Sequence, residues 1–206
     1  MKPDDDPDVQ LMLAVQRDDR AAFEALFLKY VHQVTGFAFS FVGSRMRAEE
    51  LVQETFLHVY RARRRYQPRA RFATWLYRIV TNLCLSEVRR REHRAMQRQL
   101  GPTAGGVGEP NAGTVADTGG RSSEENVLAQ EDLRRMRAAV LQLPPQQRAA
   151  LWLARVEGFS YEEVARSLGC SVSAVKSLIH RATVILARAV ARGYVIRCGV
   201  GGSSAI

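Results

Sequence analysis

Apolar side chains recur along this chain at intervals of three and four residues. Phe23, Leu26, Phe27, Tyr30, Val34, Phe37, Ala38 and Phe41 trace one face of a long helix. Gly43 and Ser44 break it. Leu51, Val52, Thr55, Phe56, Val59 and Tyr60 trace the next helix, opened by Glu49 and Glu50, whose charges suit the positive end of a helix dipole. Pro68 interrupts again. Phe72, Trp75, Leu76, Ile79, Val80 and Leu83 then define a third helix that runs into Arg89, Arg90 and Arg91. No segment alternates as a strand does. The pattern predicts an all-α fold, helical from Val9 to about Arg94, with residues 1–8 polar and loose.

The composition changes at Gly101. Residues 101–123 are rich in Gly, Ala, Thr and Pro, with almost nothing to bury, and read as a flexible linker. Taken from residue 99 to 125, it spans about 90 Å when extended and averages about 30 Å as a coil. Helices resume near Glu125 and run to Leu143. Pro144 and Pro145 start another, with Leu151, Trp152 and Val156 apolar. The expected organisation is a helical domain over 1–98, a linker over 99–125, a second helical domain over 126–194 and a disordered tail over 195–206.

The second domain carries the most specific local pattern, GFSYEEVARSLGCSVSAVKSLIHRAT, residues 158–183. Ser160 and Glu163 have capping-box spacing at the start of a short helix. Gly169 ends it in the left-handed conformation that glycine adopts at least cost. Ser171 is placed to cap a second helix, with Val172, Val175, Ile179, Ala182 and Leu186 on its buried side. Ser171, Ser173, Ala174, Lys176, Ser177, His180 and Arg181 stand at or near its start and exposed side. Small and basic residues there suit base-edge and phosphate contacts in a DNA major groove.

Charge strengthens that reading. The chain carries a formal net charge of +9, nearly all of the excess arginine, which favours a polyanionic partner. Between Arg61 and Arg98, twelve arginines face two acids, Glu87 and Glu92. Tyr66, Phe72, Trp75 and Tyr77 are interleaved with them. Phe72 and Trp75 lie on the apolar stripe, so both core burial and stacking on unpaired bases stay open. Asn82, one turn from Arg78, has the chemistry to read an extruded base along its Watson–Crick edge.

Other chemistry finds little support. Cys84, Cys170 and Cys198 are scattered, which argues against a metal site or a disulfide framework. There is no phosphate-cradling GxxxxGK loop, no HExxH and no nucleophile–base spacing. Neither catalysis, metal nor cofactor is expected. No apolar run approaches a membrane span, and the acidic start does not read as a signal peptide. No membrane insertion and a cytoplasmic location are the expectations. A stand-alone helix-turn-helix regulator is the main alternative, but it leaves residues 49–91 without a role.

Four stretches in order carry a resemblance: AAFEALFLKYVHQV (21–34), AEELVQETFLHVYRAR (48–63), FATWLYRIVTNLCLSEVRRR (72–91) and LPPQQRAALWLARVEGFSYEEVARSLGCSVSAVKSLIHRA (143–182). The chain resembles bacterial extracytoplasmic-function (ECF) sigma factors of the sigma-70 family. The resemblance implies a sigma-2-like bundle and a sigma-4-like helix-turn-helix module that together bind core RNA polymerase and promoter DNA. It implies docking on the β′ clamp helices through Glu49, Glu50, Leu51, Gln53, Glu54 and Phe56, and an approach to the β flap. It implies capture of the −10 non-template strand around Tyr66, Phe72, Trp75, Arg78, Asn82, Arg89 and Arg90, reading of the −35 element by the last helix pair, and an anti-sigma partner. Ser171, Ser173 and Ala174 depart from the Pro, Gly and Thr often found there. Leu178 and Thr183 stand where arginine is common, which leaves the −35 sequence open.

Overall fold

The computed structural model describes the backbone of residues 5–100, 136 and 138–199. The helices are α1 (Pro7–Gln16), α2 (Arg20–Val42), α3 (Arg45–Ala62), α4 (Phe72–Leu100), α5 (Pro145–Arg155), α6 (Tyr161–Leu168) and α7 (Val172–Gly199), with a 3-10 turn at Arg63–Arg65. Among the described residues there is no strand. Most of the expected linker lies outside them; residues 99 and 100 continue α4. The tail expected from residue 195 is corrected in part, because α7 keeps its helical backbone to Gly199.

Local chemistry sets the helix ends. Asp19 accepts from the Ala22 amide to start α2, and Ser44 from the Arg47 amide to start α3. Between them Gly43 takes φ 64°, a left-handed cap that needs no Cβ. Ser160 and Glu163 make both hydrogen bonds of the capping box, at 3.2 and 2.9 Å. Gly169 closes α6 at φ 65°. Ser171 accepts from the Ala174 amide at 3.2 Å and starts α7.

Residues 5–8 are not loose. Asp6 and Asp8 are buried. Asp6 caps α1 through the Asp8 amide (3.1 Å), and its second oxygen accepts from the Phe72 amide (3.0 Å) at the start of α4. Asp8 accepts from Lys29 at 2.6 Å and from the Tyr30 hydroxyl at 2.5 Å. Buried carboxylates persist where charge and donors compensate them, and here the partners come from elements far away in sequence.

α1 to α4 form one bundle and α5 to α7 a second, but the two pack together. Their buried side chains make one continuous cluster running from Val9 to Ile179. Trp152 packs edge-on to Phe37 (6.2 Å between centroids), and Phe159 to Tyr77 (5.4 Å). The Ser167 hydroxyl donates to the Thr74 carbonyl at 3.1 Å, and Arg71 pairs with Glu163 at 3.3 Å. Arg148 is 5% exposed and donates to the Ser40 carbonyl at 2.8 Å. Two independently tethered modules were the expectation; the structure holds them closed on each other.

Candidate nucleic-acid interface

Three surfaces gather the residues singled out above. The first is a cleft of about 430 Å³ beside the start of α4, with Tyr66, Trp75, Thr74, Arg65, Arg69 and Arg78 among its lining. The loop between Arg65 and Phe72 shapes it, and α1 fixes that loop. The Gln16 side chain donates to the Tyr66 carbonyl at 3.2 Å, and Arg63 donates to Asp18 at 2.7 Å. The Arg63 hydrogen bond holds the Asp18 carboxyl below its ordinary range.

Phe72 is fully buried and Tyr66 is 5% exposed. Phe72 sits against Tyr30 at 5.5 Å, and the Tyr66 ring meets Trp75 at 4.8 Å. Burial pushes the Tyr66 phenol up to about 12. Phe72 therefore belongs to the core because its stripe faces α2, and the expectation that it contacts DNA is corrected. Trp75 stays half-buried and lines the cleft. Arg78, Asn82, Arg89 and Arg90 are exposed along α4, with Asn82 beyond the cleft rather than in its lining. Arg166, from α6 in the other bundle, also lines the cleft.

The second surface is the helix-turn-helix. α6 and α7 meet at 98°, within the range of DNA-reading pairs. Ser171, Ser173, Lys176, Ser177, His180 and Arg181 are exposed, and Ala174 is half-buried. Val175 and Ile179 turn inward. One edge of this face is not free. Ala174, Ser177 and Arg181 share a cleft of about 310 Å³ with Leu85 of α4 and with Cys170.

The third is the outer face of α3. Glu49, Glu50 and Gln53 are exposed and Glu54 is half-buried. Leu51 is fully buried and Phe56 is 3% exposed. Phe56 packs on Phe27 at 4.8 Å. Direct contact of Leu51 or Phe56 with a partner is corrected, since both lie on the stripe that faces α2. The exposed face instead carries Met46 (71% exposed) and Leu57 (45%), two apolar residues that the periodic reading passed over. Their signal was present, because both fall on the polar side of the helix.

Among the described residues no group of three or more His, Cys, Asp or Glu is placed to hold a metal ion. No single described helix is long and apolar enough to cross a membrane.

Two basic surfaces on two helical modules, the second a helix-turn-helix, have the charge and shape that suit contact with nucleic acid. The family model for sigma-70 region 2 matches residues 26–94, and that for sigma-70 region 4 matches residues 133–184. An RNA polymerase sigma-H factor from Pseudomonas aeruginosa is 36% identical over 175 residues, covering 85% of this chain and 89% of the relative. The ECF RNA polymerase sigma factor SigE of Mycolicibacterium smegmatis is 33% identical, covering 88% and 67%. The structure of the sigma factor RpoE in complex with the anti-sigma factor NepR from Bartonella quintana matches at TM-score 0.61 and 25% identity, covering 82% of this chain and 96% of that one. The chain belongs to the ECF sigma factors of the sigma-70 family.

Proposed function

We propose that this chain binds core RNA polymerase through the outer face of α3 and directs it to promoters by two DNA contacts. Glu49, Glu50 and Gln53, flanked by Met46 and Leu57, form the docking face for the β′ clamp helices, with acids set to pair with a basic partner around an apolar contact. Trp75, Arg78 and Asn82 capture the −10 non-template strand, with Arg89 and Arg90 on its phosphates. Ser171, Ser173, Lys176, Ser177, His180 and Arg181 read the −35 duplex, with Ala174 at the edge of that face. The observation that carries this reading is the order of surfaces along one chain: an acidic and apolar face on α3, an arginine-lined aromatic cleft on α4, then a capped helix-turn-helix. The proposed units are residues 1–98 and 126–194, joined by 99–125.

The chain is an initiation factor rather than an enzyme, so strand opening draws on binding alone. Stacking in duplex DNA is worth about 1.4 kcal/mol per step, so ten steps require about 14 kcal/mol. One captured base, at about 1–3 kcal/mol, nucleates opening, and the polymerase channel completes it. The closed packing must also release, because modules sharing one core cannot reach two elements about two helical turns apart, at roughly 34 Å per turn. The docking face on α3 lies away from that seam. An anti-sigma partner that covers α3 or holds the modules closed fits this arrangement, as does action in the cytoplasm with the polymerase.

The test is run-off transcription with core polymerase on a genomic promoter library, together with co-purification. Defined start sites that depend on the chain are expected. Failure to associate with core polymerase overturns the reading and returns the stand-alone regulator.

A further inference from the structure

Two contacts across the seam hold α6 against the start of α4. Glu163 pairs with Arg71 at 3.3 Å, and the Ser167 hydroxyl donates to the Thr74 carbonyl at 3.1 Å. Arg166 stands between these two anchors and is fixed at the wall of the cleft that Trp75 lines. That cleft, about 430 Å³, thus gathers four guanidiniums: Arg65, Arg69 and Arg78 from the first bundle and Arg166 from the second. No acidic residue lines it. All four arginines are exposed. None of them takes part in an ion pair among the described residues. Arg166 donates through Nε to the Glu162 carbonyl at 3.3 Å, which leaves the outer nitrogens of its fork for another acceptor.

Closing the seam therefore brings like charges together with no counter-charge built in. An anion in the cleft relieves that repulsion. An anion that touches both bundles binds the closed form best, and so favours it by mass action. Trp75 narrows the choice of anion. Its indole is half-buried, meets the Tyr66 ring at 4.8 Å and sets an aromatic surface beside the cations. Planar forks suit phosphate oxygens, an aromatic face suits a base, and the volume lies within the range of small-molecule sites. We infer that the closed cleft between the two bundles binds a free nucleoside triphosphate, its phosphates bridging Arg166 to the arginines opposite and its base on Trp75. Arg166 leaves the cleft when the bundles part, so the complete site belongs to the closed chain alone. The bound nucleotide keeps the modules together and the chain unable to reach two promoter elements. That consequence rests on the function proposed above; the binding itself does not.

The full-length free chain is titrated calorimetrically with ATP, adenosine, inorganic tripolyphosphate and a short single-stranded oligonucleotide. ATP should bind tightest, with adenosine and tripolyphosphate each weaker by about tenfold or more, because each lacks one half of the recognition. Arg166→Ala should weaken ATP by about tenfold or more, the loss of a charged hydrogen-bonding partner. Arg166→Lys should fall between, since it keeps the charge without the fork. Arg166 is exposed, so both variants fold. A second measurement reads closure. In a Cys198→Ser background, saturating ATP should slow alkylation of Cys170, which borders the neighbouring cleft between the bundles, by several-fold.

Tripolyphosphate binding as tightly as ATP overturns the nucleotide site and leaves a merely basic patch. Equal ATP affinity in wild type and Arg166→Ala, or ATP binding with no change at Cys170, places the ligand on one bundle and overturns the bridge. Preference for the oligonucleotide over ATP assigns the cleft to strand capture alone. Polymerase is absent from these titrations, so their failure leaves the initiation role standing. Failure of the chain to bind core polymerase would refute that role and leave the nucleotide site intact.

Discussion

The guanidinium of Arg148 in α5 donates to the carbonyl of Ser40, in the last turn of α2, at 2.8 Å. The same side chain also donates to the carbonyls of Val140, Leu141 and Leu143. Burial lowers its pKa, because removing the charge from water disfavours the protonated guanidinium. Carbonyls at a helix C-terminus lack intrahelical partners and carry partial negative charge, so Arg148 caps one bundle from within the other. Arg148→Ala should weaken the docking of the two bundles by about 1.5–3 kcal/mol, the range for hydrogen bonds to a charged group. Solution scattering should then show a larger radius of gyration, with helix content unchanged. An unchanged radius would mean that Trp152 on Phe37 and Phe159 on Tyr77 hold the seam without it.

Much of this fold is legible in the chain. The stripes through Phe37, Val52 and Leu76 gave the first bundle, and Ser160, Glu163, Gly169 and Ser171 gave the helix-turn-helix down to its caps. What could not be read depends on distant partners. Asp4 to Asp8 look like a solvated acidic run until the Phe72 amide, Lys29 and Tyr30 arrive to compensate Asp6 and Asp8. The site was legible in part. Periodicity had already put Leu51 and Phe56 on a buried stripe, while the family pattern grouped them with exposed Glu49 and Gln53. Nothing in local sequence shows that Phe37 will meet Trp152 across the seam.

Asp6 joins the N-terminal helix to the rim of the cleft, and it lies outside the residues matched by the region 2 family model. Asp6→Ala should cost about 0.5–2 kcal/mol for the loss of a helix cap, and the start of α4 should loosen. Asp6→Asn keeps one acceptor and should fall between. Hydrogen exchange at the Phe72 amide reports this directly. If exchange there is equally slow in Asp6→Ala, the carboxylate is not what holds that turn.

Asn82 is exposed one turn beyond Arg78 on α4. Asn82→Ala removes an exposed amide, so stability should change by less than about 0.5 kcal/mol. Polymerase association should be unaffected and open-complex formation slower. Permanganate reactivity of −10 thymines measures this. Equal reactivity in wild type and variant would remove Asn82 from base capture.

Acid should act in a defined direction on Glu87, which is buried among Arg47, Arg90, Arg91 and Arg94. The hydrogen bond from Arg47, ahead of the other charges, holds the Glu87 carboxyl below its ordinary value of 4.5. A carboxyl whose folded pKa is depressed contributes stability that is complete above the unfolded value and is lost as pH falls through the folded one. The stability difference between wild type and Glu87→Gln should therefore be constant above pH 4.5 and shrink below it. Urea denaturation of both proteins across that range is the measurement. A difference that persists at the lowest pH would show that packing, not charge, sets the role of Glu87.

Cysteine chemistry reports whether the modules separate. Cys84 is fully buried, and burial pushes its thiol up to about 12. Cys170 is half-buried, its pKa also raised by burial, and it borders the cleft that Leu85 of α4 shares with the recognition helix. The reactive species is the thiolate, so both should alkylate slowly in the free protein. In a Cys198→Ser background, adding core polymerase should accelerate Cys170, because lifting α6 and α7 off α4 opens the cleft that it borders. An unchanged Cys170 rate in the polymerase complex would mean that the two bundles stay closed when bound, and that one chain in this form cannot reach both promoter elements.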